Sequence, residues 1–116
     1  MNTLQLTFEM IQAVAIMNPD GFTINARTFE PITSGYAVAI AQTQNSFGNA
    51  GAARVAAYVC KHPEINAVGG WMDSETGLYY YDATIVVDDL ETALKLGREN
   101  KQIAIFNLST LEEIRL

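Results

Sequence analysis

Trp71, Tyr80 and Asp82 are residue types that could do chemistry, and they fall on one hairpin. Between Met72 and Tyr79 the chain reads Asp-Ser-Glu-Thr-Gly-Leu, and Gly77 at the last loop position suits a hairpin loop that needs a positive φ there. Closing the hairpin with Asp73 opposite Leu78 sets Met72 against Tyr79, Trp71 against Tyr80, Gly70 against Tyr81, Gly69 against Asp82 and Val68 against Ala83. Period-2 alternation then puts Val68, Met72, Tyr79, Tyr81, Ala83, Ile85 and Val87 on a core face. The other face carries Trp71, Tyr80, Asp82 and Thr84, with Gly69 leaving bare backbone beside them. An outward Trp–Tyr pair is either a stacking platform for a ligand or the seat of a second helix or subunit. Asp82 is either a solvated strand residue or the base of a small enzyme.

The better candidate is the loop from Gln44 to Asn49. It offers the amides of Gln44, Asn45 and Asn49 and the hydroxyl of Ser46 without any charge, and it opens a helix whose unpaired backbone N–H groups attract anions. The same residues could serve only to cap that helix. Neither a Walker-type lysine nor a repeated glycine pattern accompanies them. Gln44, Asn45, Ser46, Trp71, Tyr80 and Asp82 therefore form the expected ligand-binding set, with no catalytic residue, metal or cofactor assigned.

Other constellations have plainer readings. Cys60 and His62 stand two apart near a helix end, point to different sides and cannot work as a pair. Asp73, Glu75 and Gly77 fall short of a calcium loop, because the glycine comes one place early and no glutamate closes the loop. Asp88 and Asp89 are explained by capping the helix that follows.

The elements that must position these residues are legible along most of the 116 residues. Thr7 caps a helix over Phe8 to Met17, which Asn18-Pro19-Asp20-Gly21 ends. Leu4, Leu6 and Phe8 alternate like a strand and compete with that reading. Phe22 to Ile24 and Tyr36 to Thr43 read as strands. The second has Tyr36, Val38 and Ile40 on one side and Ala37, Ala39 and Ala41 on the other, where a helix could approach closely. Ala52, Val55, Ala56 and Val59 share one helical stripe that Pro63 stops. After the aromatic hairpin, Leu90, Ala93, Leu94 and Gly97 mark another helix, and Ile103 to Phe106 and Glu113 to Leu116 read as strands. The order is α-β-β-α-β-β-α-β-β. It predicts a single α+β domain with a twisted, mainly antiparallel sheet of about six strands and three helices.

Composition narrows the function classes. Hydrophobic residues make up 49% and charged residues 17%, which excludes general disorder, and no apolar run reaches the length of a membrane span. Met10 to Met17 is too short and lacks the flanks of a signal peptide, so a cytoplasmic location is expected. The single cysteine permits no internal disulfide. A net charge of −6 with scattered basic residues argues against gripping a nucleic-acid backbone. The partner is then a protein or a small polar ligand. Outward aromatics and open sheet edges add the expectation of a weak homodimer.

Gly35-Tyr36-Ala37-Val38-Ala39, Thr43-Gln44-Asn45-Ser46-Phe47-Gly48, Gly69-Gly70-Trp71, Gly77-Leu78-Tyr79-Tyr80-Tyr81-Asp82 and Gln102-Ile103-Ala104-Ile105-Phe106 together resemble a group of small proteins found in gut-bacterial genomes, prophages and mobile elements. The resemblance spans most of the chain after Pro19. It implies a small cytoplasmic accessory protein and no particular activity. The leading expectation is a non-enzymatic binding module, with a small Asp82-based enzyme and an inhibitor of a host defence or regulatory protein as the alternatives.

Overall fold

The computed structural model describes residues 6–116, so the strand-like alternation beginning at Leu4 lies partly outside the described residues. Helix α1 runs Phe8–Met17, with the Thr7 hydroxyl accepting a hydrogen bond from the Met10 N–H at 3.3 Å. Strand β1 (Gly21–Asn25) follows, then β2 (Tyr36–Ala39), a 3-10 turn (Ala41–Thr43), β3 (Ser46–Phe47) and α2 (Gly48–Lys61). The chain continues through β4 (Ala67–Met72), β5 (Tyr79–Val87), α3 (Leu90–Glu99), β6 (Ala104–Asn107) and β7 (Glu112–Arg115). Every strand pair is antiparallel, in the order β1-β4-β5-β2-β6-β7 with β3 also against β5. The α+β class and the expected element order hold, with one strand added: the sheet has seven strands because Ser46–Phe47, read as loop, joins it.

β5 organises the sheet. Along one side it pairs with β4 in the expected register, Trp71 opposite Tyr80 and Met72 opposite Tyr79, and the Asp73 N–H donates to the Leu78 carbonyl at 2.9 Å. Gly77 closes the loop at φ 73°, the left-handed conformation that glycine adopts at least cost. Along its other side β5 is shared, Thr84–Val87 pairing with β2 and Tyr80–Tyr81 with β3. The strand expected to run on to Thr43 stops at Ala39 and bulges into the 3-10 turn. The Thr43 hydroxyl replaces the missing backbone acceptor by taking the Ala83 N–H at 3.0 Å, which explains why a threonine can be fully buried there.

All three helices lie on one side of the sheet. Ile11 and Ala15 of α1 and Ala52, Val55, Ala56 and Val59 of α2 pack on Ile24, Val68, Tyr81 and Ala83. Ala93 of α3 packs on Val38 and Ile105. Ala37 and Ala39 therefore face away from the helices, which corrects the expectation that a helix approaches over these small residues. The close approach is made instead by Gly51 of α2, where a Cβ would collide with the Ser46 backbone and lie 3.0 Å from its carbonyl oxygen. Met72 points to the helix side as expected yet is 40% exposed, because it stands in a groove of about 450 Å³ lined also by Gln12, Ile16, Pro19 and Tyr79 and is not roofed by α1.

Candidate functional site: the outward face of the hairpin

Among the described residues no helix roofs the opposite face of the sheet, and its centre is aromatic. Register places Phe47 of β3, Tyr80 of β5 and Trp71 of β4 side by side across three strands. The Trp71 and Tyr80 rings stack at 4.8 Å and 13°, and Phe47 leans on Tyr80 at 5.5 Å and 59°. Trp71 is 46% and Phe47 44% exposed, so each ring keeps a contact surface after packing on Tyr80.

Asp82 stands two residues along from Tyr80 on the same face, opposite Gly69. With no side chain on Gly69, one carboxylate oxygen sits 3.8 Å from the place a Cβ would occupy, and the Thr84 hydroxyl sits 3.3 Å from it. Among the described residues no donor reaches the Asp82 carboxylate. Burial beside the aromatic row pushes its pKa from 3.8 up to about 6, since the charged form is poorly solvated there. The residue keeps part of its surface accessible, so a ligand can still reach it. A half-buried carboxylate without a partner beside aromatic rings has the chemistry to receive an organic cation, which would supply donors and stack on the ring faces.

The structure divides the residues expected to bind. Trp71, Tyr80 and Asp82 come together as expected, and Phe47 joins them. Ser46 does not: it pairs with Tyr81, is only 2% exposed, and its hydroxyl donates to the Thr43 carbonyl at 2.6 Å. Its role is to hold the turn. Arg54, reaching back from α2, donates to the carbonyls of Gln42 at 2.7 Å and Gln44 at 3.0 Å and pins the same loop. Gln44 and Asn45 are exposed just before β3, and their side-chain amides make no hydrogen bond among the described residues. The loop does not cap α2, whose cap residue Phe47 supplies no side-chain hydrogen bond.

The plainer readings are accounted for by local structure. The Asp73 carboxylate accepts from the Glu75 N–H at 3.0 Å and the Thr76 hydroxyl at 3.1 Å within the hairpin loop. Asp89 caps α3, and the hydroxyl and N–H of Thr92 hold its carboxyl below the usual range. His62 stacks on Tyr58 at 3.7 Å, away from the aromatic face. Among the described residues no three His, Cys, Asp or Glu side chains gather as metal ligands, and no helix is long and apolar enough to cross a membrane.

Phe47 escaped the sequence reading because a strand of two residues has no periodicity to detect. No family model, curated protein or solved structure matches this chain.

Proposed function

We propose that this protein is a non-enzymatic binding module that takes a cationic side chain of a protein partner against Trp71, Tyr80, Phe47 and Asp82. The observation that carries the reading is the Asp82 carboxylate, half-buried, without a donor, and set beside a stacked Trp–Tyr pair on an unroofed sheet face. A protein partner is favoured over a small molecule because, among the described residues, Phe47, Trp71 and Tyr80 line neither of the two best-formed grooves. Charge agrees: at −6 the chain attracts a basic partner. An arginine is the best fit, since its guanidinium stacks on an aromatic face while donating to a carboxylate. Placed with the resemblance described above, this is a cytoplasmic accessory protein acting by contact, as an inhibitor of a regulatory protein would.

Trp71 is the only tryptophan, so its fluorescence reports on the site directly. Titration with an arginine-rich peptide is expected to change that emission, with affinity rising as pH increases through about 6 and Asp82 ionises. Asp82→Asn should abolish the pH dependence and weaken binding roughly tenfold, while Glu64→Gln, on an exposed acid after α2, should leave both unchanged. Equal response to a glutamate-substituted peptide, or equal loss in both variants, removes the reading.

The raised pKa of Asp82 also favours one other use, as a general base poised near neutrality in a small enzyme. A turnover found in a hydrolase and transferase screen and lost in Asp82→Ala would decide for that alternative.

A further inference from the structure

β7 ends the sheet, and among the described residues no strand lies beyond it. The Leu116 N–H donates to the Ile103 carbonyl at 3.0 Å, and along the β6–β7 ladder Ala104 faces Arg115 and Ile105 faces Ile114. Hydrogen-bonded and non-hydrogen-bonded pairs alternate in an antiparallel ladder, so the backbone groups of Glu112, Ile114 and Leu116 point at β6. Those of Glu113 and Arg115 point outward. They form an edge that no proline, bulge or lysine protects.

We infer that β7 pairs antiparallel with β7 of a second copy of this chain, about a two-fold axis through Ile114. In this register Glu113 of each copy faces Arg115 of the other, and these are the residues whose backbone groups point outward. Each facing pair can exchange both N–H···O=C bonds, and the two-fold repeats the pair. The neighbouring registers that also join outward groups would set Glu113 against Glu113 or Arg115 against Arg115, so the charges select the one centred on Ile114. Both side chains are available, Arg115 at 71% and Glu113 at 59% exposed, and within one chain they already lie 3.4 Å apart on the unroofed face. Two copies would join them into an alternating ring of four charges. Ile114, half-buried, meets its symmetry mate on the helix side, where α3 packs mainly on β2, β5 and β6 and reaches the end of β7 at Gly97, against Leu116. A charge of −6 on each copy opposes association and keeps the dimer weak.

Sedimentation equilibrium across a concentration series tests this, with a dimer expected to build up by about 100 μM. Arg115→Glu and Glu113→Arg should each raise the dimer dissociation constant at least roughly tenfold, because the two-fold makes every reversal count twice. The double variant Glu113→Arg/Arg115→Glu restores opposite charges in the same register and should recover the dimer to within about threefold. Trp71→Ala, on the distant aromatic face, should leave the dimer intact. A monomeric mass at every concentration overturns the inference. So does a dimer indifferent to the single reversals, one not recovered by the swap, or one lost with Trp71.

Discussion

On the helix-covered side of β4 the ring of Phe22 occupies the place where a side chain on Gly70 would be, with Tyr79 closing in from β5. On the unroofed side, one residue earlier, the space that Gly69 leaves is bounded more loosely, by the Thr84 hydroxyl at 3.3 Å and the Asp82 carboxylate at 3.8 Å, and forms a small notch beside that carboxylate. Both glycines belong to one strand and face the same partner strand, so local propensity does not separate them. Packing does. Around Gly70 the covered face is filled to contact, because a void there would forfeit dispersion and burial energy, although the same side opens into a groove farther along at Met72. The open face keeps a carboxylate whose ionisation its surroundings penalise, although asparagine would fit the same space. A feature that costs stability on an otherwise well-formed strand supports the binding surface proposed above.

The comparison breaks most readily at Gly70. Gly70→Ala sets a methyl group within 2.8 Å of ring atoms of both Phe22 and Tyr79, and those two rings are themselves stacked on each other. The expected loss is about 3 kcal/mol, read by circular dichroism as a fall in thermal midpoint of roughly 10 °C. A midpoint within about 2 °C of the parent would show that the covered face is loose, and would erase the contrast.

Asp82 sharpens it next. A carboxyl raised from 3.8 to about 6 in the folded state keeps a proton there that the unfolded chain has already released. Between these values stability therefore falls as pH rises, and above about 6 the full penalty is present. Asp82→Asn lacks it and should be more stable than the parent at pH 8 by on the order of 1–3 kcal/mol, with the advantage vanishing below about pH 4. Urea unfolding at both pH values measures the gap. An equal gap at the two would mean that the Asp82 charge is solvated and that the open face is ordinary strand surface.

How much of this could be read in advance follows from range. The hairpin register was legible because Asp73, Gly77 and the loop length fix it locally, and with it came Trp71, Tyr80 and Asp82 on one face. The caps Thr7 and Asp89 and the α2 stripe were legible for the same reason. Phe47 was not, since β3 exists only through its pairing with β5. The small residues Ala37 and Ala39 misled because alternation shows that a strand has two faces without showing which one the helices take; the burial of Val38 beneath Ala93 decides that. Ser46 misled in another way. Its hydroxyl resembles a ligand donor until the Thr43 carbonyl and the bulge it stabilises are in place. Desolvation of Asp82 depends on neighbours from other strands and has no signature in spacing.

The smallest effect on stability is expected at Gly69, and it is the most informative. A Cβ there would meet the Thr84 hydroxyl at 3.3 Å and the Asp82 carboxylate at 3.8 Å, contacts that a small rotation of Thr84 relieves. Gly69 does not hold a positive φ, so alanine also gains from its more restricted unfolded chain, and Gly69→Ala should stay within about 1 kcal/mol of the parent. The methyl group nevertheless fills the notch and takes water from Asp82, which should move the pH midpoint of peptide binding upward and weaken the Trp71 fluorescence response at pH 7 about fivefold. A folded variant that binds as the parent does would leave the notch without a role and confine the site to the aromatic row. A variant as unstable as Gly70→Ala would mean that the open face is packed after all.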